Sequence, residues 1–128
     1  MKKILLAVCI TLLSSSIQAV EYHCEVQQKF DSEHVYTAVE IDKGQYSIQI
    51  EEKGDTAFIS RCSFAHSVQK VTCDRYQMDK VVFDYRVKIK KYYLFDSQFD
   101  IQLFPSLSFV ENNGRGGIAF GKCEVIAP

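Results

Sequence analysis

The 128-residue chain has no tryptophan, only two prolines and six glycines, and almost no net charge. So little proline and glycine excludes a collagen-like or low-complexity chain. Fifteen basic residues against sixteen acidic ones leave no basic footprint, so no nucleic-acid partner is expected. Without tryptophan, a sugar-stacking platform would have to rest on tyrosines. Also missing are a G-x-S-x-G elbow, an H-E-x-x-H pair, a phosphate-cradling glycine loop and a dinucleotide fingerprint. The imidazoles are His23, His34 and His66, and Glu51 and Glu52, being adjacent in a strand, point to opposite faces. No general acid–base pair emerges, and the reading is a non-enzymatic protein with no cofactor.

Long apolar runs are equally scarce. One stretch, Ile4 to Leu13, follows Lys2-Lys3 and leads to Ser14-Ser15-Ser16-Ile17-Gln18-Ala19. A basic start, an apolar centre and a small residue at the exit describe a secretory signal peptide over residues 1–19, cleaved after Ala19. About ten apolar residues are too few to span roughly 30 Å of hydrocarbon, so no transmembrane span is expected. The remaining domain, residues 20–128, is a single unit with three more acidic than basic residues. The short leader points to a bacterial periplasmic or secreted protein.

The leader takes Cys9 with it and leaves Cys24, Cys62, Cys73 and Cys123. Four cysteines in a small exported domain predict two disulfides. Cys62 and Cys73 flank a hairpin-like stretch around Ala65-His66-Ser67, whereas Cys24 and Cys123 lie near the two ends of the domain. The expected pairs are therefore Cys62–Cys73 and Cys24–Cys123. A metal site built from Cys62, His66, Cys73 and His23-Cys24 is the competing arrangement, but it lacks a tight C-x-x-C pair, and no metal is expected.

Period-two alternation runs through the domain. Tyr22, Cys24, Val26 and Phe30 mark a first strand; Val35, Thr37, Val39 and Ile41 a second; Tyr46, Ile48 and Ile50 a third. Phe58, Cys62 and Phe64 share one face of a fourth, and Val71 and Cys73 belong to a fifth. The cleanest alternation, Val81, Phe83, Tyr85, Val87 and Ile89, predicts one long sixth strand. Phe99, Ile101 and Leu103, then Leu107 and Phe109, then Ile118, Phe120 and Cys123 complete the set. Residues 74–80 are ambiguous and admit a short helical turn. The fold class is all-β, a small antiparallel meander barrel or sandwich of about eight strands stapled by two disulfides, with first and last strands meeting.

Two surface features are candidates for binding. Arg86, Lys88 and Lys90 alternate along the outward face of the predicted sixth strand, next to Lys91 and Tyr92, and would form a basic ridge suited to an anionic glycan or lipid headgroup of the envelope. The loop Asn112-Asn113-Gly114-Arg115-Gly116-Gly117 isolates one guanidinium among glycines, which permit close approach to a surface. Arg115, with Asn112 and Asn113, is the leading contact candidate.

Leader, size, strand pattern and disulfides together resemble the small periplasmic β-barrel inhibitors of c-type lysozyme. Tyr22-His23-Cys24 is similar to the Tyr-x-Cys opening of that family, and Gly121-Lys122-Cys123 to its end. Gln27 stands where the family has a glycine, and its Ser-Gly inhibitory strand has no counterpart, so no inhibitory residue carries over. The expected function is a binding protein that inhibits, or gives immunity against, a cell-wall hydrolase, with a protein as partner. The alternative is an envelope glycan or lipid-headgroup binder using the basic strand face.

Overall fold

The computed structural model describes residues 8–9 and 19–127. Most of the expected leader, including its cleavage signal up to Gln18, lies outside the described residues. The elements are β1 (Val20–Phe30), α1 (Ala38–Gly44), β2 (Ser47–Lys53), β3 (Thr56–Ala65), β4 (Lys70–Gln77), β5 (Lys80–Asp84), β6 (Ile89–Leu94), β7 (Phe99–Leu103), β8 (Ser108–Asn112) and β9 (Ile118–Ala127). All nine strands join one antiparallel sheet in the order β4-β3-β2-β1-β9-β8-β7-β6-β5, curled into a half-barrel.

Two meanders, β1 to β4 and β5 to β9, meet where β1 pairs with β9. Both disulfides form as expected, each between directly opposed residues: Cys24 with Cys123 across β1 and β9, Cys62 with Cys73 across β3 and β4. Their thiolates are consumed, which removes the alternative metal site. The core fills the concave side with the rings of Tyr22, Tyr92, Phe99 and Phe109 packed among Ile48, Ile50, Ile59 and Ile101.

The far edges of the sheet are consecutive in sequence. At the end of β4 the Met78 amide donates to the Ala57 carbonyl at 2.9 Å, continuing the ladder on β3. The next amide, Asp79, donates instead to Tyr93 of β6 at 2.8 Å. The ambiguous segment 74–80 is thus a bent strand that changes partners, and not a helical turn; buried Met78 is its pivot. Strands that switch sheets at a bend are a standard way to turn a barrel corner.

Two further expectations are corrected. Residues 35–41 are not a strand. Thr37 caps α1 by accepting from the Glu40 amide at 3.2 Å, and the Glu40 carboxylate accepts from the Thr37 amide at 3.1 Å. This reciprocal capping box prevails over the alternation of Val35, Val39 and Ile41, because α1 buries no residue and so imposes no strand-like face. In β1, a bulge between Val26 and Gln28 reverses the parity. Phe30 therefore stacks on Phe120 outside, at 6.0 Å between ring centroids, and Lys29 turns inward. In β3, Phe58, Cys62 and Phe64 share one face as expected, and it is the face opposite the core residues Ala57 and Ile59.

Candidate functional site

The predicted basic ridge does not form, because the sixth strand is two strands. β5 ends at Asp84, residues 85–88 turn, and β6 begins at Ile89. Lys88 adopts a left-handed conformation (φ +59°), its amide donates to the Asp84 carbonyl at 2.7 Å, and the Asp84 carboxylate accepts from the Arg86 amide at 3.0 Å. A turn of four residues preserves the apolar–polar alternation of the sequence but reverses which face it serves. Val81 of β5 opposes Tyr92 of β6 and both face the core. Arg86 and Lys88 are left on the exposed turn, while Lys90 and Tyr92 point into the barrel.

There Lys90 Nζ donates to the Tyr22 hydroxyl at 2.9 Å and to the two Glu52 oxygens at 3.1 and 3.2 Å. Tyr92 donates its hydroxyl proton to the same carboxylate. Burial and then the adjoining Glu52 push the Tyr92 phenol well above its ordinary value. Burial pulls the Lys90 ammonium down, but the hydrogen bonds to Tyr22 and Glu52 and the Glu52 charge outweigh it, leaving a raised pKa. Glu51 faces the other way and pairs with Arg75 at 2.9 Å. This cluster fills one part of the barrel, with Tyr92 fully buried and Lys90 half-buried and engaged by Tyr22 and Glu52.

A second polar cluster sits at the opening between β4 and the β6–β7 turn. Glu111, 4% exposed, receives a 2.7 Å bond from the Arg61 guanidinium. Arg61 also lies over the Phe99 ring at 5.3 Å. A charge at an inward phase, Arg61 after Ala57 and Ile59, or Glu111 after Phe109, was the available sign of this pair in the sequence. Arg61 and Asp74 line both a cleft of about 510 Å³ and a smaller pocket of about 140 Å³, which Lys29 and Glu111 also line. The wider cleft adds Tyr76, Leu94, Asp96, Phe99, Asn113 and Arg115.

Arg115 is thereby brought to the rim of that cleft. The loop carrying it is braced from within. The Asn112 side-chain oxygen accepts from the Gly114 amide at 2.9 Å, and that of Asn113 accepts from the Arg115 and Gly117 amides at 2.7 and 2.9 Å. These two asparagines therefore shape the loop through their side-chain oxygens. Gly114 has φ +74° and lies so close to the Ser97 and Gln98 carbonyls that a Cβ would collide with them, pinning the loop to the β6–β7 turn. The Arg115 side chain is exposed and has no ion pair or hydrogen bond among the described residues.

No protein family, no curated protein and no solved structure matches the chain. Among the described residues no helix is long and apolar enough to cross a membrane. The two disulfides fit an oxidising, extracytoplasmic setting.

Proposed function

We propose that this chain is an exported, non-enzymatic binding module that docks onto another protein as an inhibitor or immunity partner of a cell-wall hydrolase. The observation that carries the reading is Arg115: an unpaired guanidinium on a braced loop, at the rim of an open cleft. A pre-shaped loop binds with less loss of chain entropy than a floppy one. A planar fork of donors suits a carboxylate, the group on which glycoside hydrolases depend. Asp74, Asp96 and Tyr76 offer polar contacts around it for the flanks of the target segment.

The test is inhibition of wall lysis by a panel of lysozymes and related hydrolases, with wild type and Arg115→Ala side by side. Inhibition that falls at least tenfold in the variant is the expected result. Inhibition unchanged in the variant removes Arg115 from the contact, and no inhibition of any hydrolase overturns the function. Arg115→Ala should leave folding stability within about 0.5 kcal/mol, since the exposed side chain makes no hydrogen bond or ion pair among the described residues.

A further inference from the structure

The β5–β6 turn exposes apolar surface that the fold does not require. Tyr85 is 75% exposed and Val87 52%, although both sit among residues that could be polar at no cost to the core. Arg86 and Lys88 alternate with them, so the tip reads aromatic, cationic, apolar, cationic. Lys88 Nζ lies 6.0 Å from the Phe83 ring centre and 5.9 Å from that of Tyr85, and the two rings meet edge to face at 4.6 Å. The nearest acid, Asp84, is already engaged: its carboxylate accepts from the Arg86 amide and lies 3.8 Å from Lys91. The tip is thus locally positive on a domain with an acidic excess.

We infer that the β5–β6 tip, through Tyr85, Arg86, Val87 and Lys88, is a docking point for an anionic lipid bilayer surface. Tyrosine settles at the headgroup level, with its ring towards the acyl boundary and its hydroxyl in water. A short aliphatic such as Val87 gains by leaving water beside it. The two cations meet anionic headgroups, which attract basic residues near the surface. The acidic remainder of the domain is repelled by the same surface, so the molecule presents the tip first. This surface lies at the other end of β6 from the Arg115 cleft and is independent of it.

The absence of tryptophan supplies a clean reporter. In the full chain, Tyr85→Trp places the sole indole at the tip, and Val68→Trp places it on the exposed β3–β4 turn as a comparison. Each is mixed with vesicles of phosphatidylcholine alone, or with phosphatidylglycerol added. The expected result is a blue-shifted emission for Tyr85→Trp with the phosphatidylglycerol vesicles only, and none for Val68→Trp. Arg86→Gln with Lys88→Gln should weaken partitioning about thirtyfold. No shift for Tyr85→Trp overturns the proposal, even if the protein sediments with vesicles, because binding then lies elsewhere, the apolar residues 4–13 included. An equal shift at both positions, or an equal shift with the neutral vesicles, overturns it as well.

Discussion

Replacing Lys90 by alanine distinguishes a surface cation from one that holds the barrel together. The ammonium makes bonds of 2.9, 3.1 and 3.2 Å to Tyr22 and Glu52, and its loss leaves Glu52 with the Tyr92 hydroxyl as its remaining partner in that cluster. Breaking a fully buried pair from one side costs about 3–5 kcal/mol. Here the Lys90 and Glu52 side chains are 29% and 17% exposed, so water partly replaces the lost partner and about 2–3 kcal/mol is expected. In a domain of this size that lowers the melting temperature by roughly 10 °C. Lys88→Ala removes the same charge two residues away, on the exposed turn, and should stay within about 0.5 kcal/mol of wild type. Urea unfolding followed by far-ultraviolet circular dichroism measures both. In a double-mutant cycle, Lys90→Met with Glu52→Gln should show about 1–2 kcal/mol of coupling. If Lys90→Ala unfolds at the same urea concentration as Lys88→Ala, the inward placement of Lys90 is wrong.

Lys90 and Tyr92 both hold their protons more tightly folded than unfolded. Their contribution is therefore complete below the unfolded values near 10 and is lost as pH rises beyond them. The urea midpoint should be insensitive to these groups from pH 7 to about 9.5 and fall above about 10, less steeply in Tyr92→Phe. Gly114→Ala should cost about 2–3 kcal/mol, since it adds a clash with Ser97 to an unfavourable φ; Gly54→Ala, at φ +69° with open space around it, should cost about 1 kcal/mol in the same unfolding assay. Removing Cys24–Cys123, which spans 99 residues, should cost about 4–5 kcal/mol, against about 3 kcal/mol for Cys62–Cys73, which spans 11, as read from thermal unfolding of the paired alanine variants. Replacing left-handed Gln98 or Lys88 by glycine should raise stability by up to about 1 kcal/mol, a gain visible as a higher melting temperature.

These left-handed positions also explain what the sequence concealed. The disulfide pairing, the all-β class and the meeting of the first and last strands were readable, because cysteine placement and period-two alternation speak directly for them. Turns carrying Gly54 or Asn113-Gly114 were readable too. Three turns end instead on left-handed Gln69, Lys88 and Gln98, with φ between +53° and +59°; the one at 66–69 was readable from the break around Ala65-His66-Ser67, the one at 85–88 was not. No glycine or asparagine marks those φ values, and at 85–88 the solvent-exposed Tyr-Arg-Val-Lys happened to continue the alternation of β5. One unmarked turn therefore carried Lys90 and Tyr92 from the outside to the inside. The bulge at residues 26–28 likewise brought Lys29 inside and put Phe30 outside. The Arg115 loop was visible as glycine around one cation, but its cleft was not, since Arg61, Asp74 and Asp96 come from separate strands and turns that only the curl of the sheet brings together.

The order of strands across the sheet has one more consequence. Read from one edge it runs β5, β6, β7, β8, β9, β1, β2, β3, β4, which is a plain nine-strand meander begun in the middle. β1 and β9 are the arms of a hairpin that lacks only its turn, with Glu21 opposite Ala127. A circular permutant that supplies this turn and opens the chain at Met78-Asp79 would convert the central, most distant pairing into the most local one. Folding rates fall with the sequence separation of contacts. The permuted chain should therefore reach the same sheet sooner, while giving up the bent strand that turns its corner.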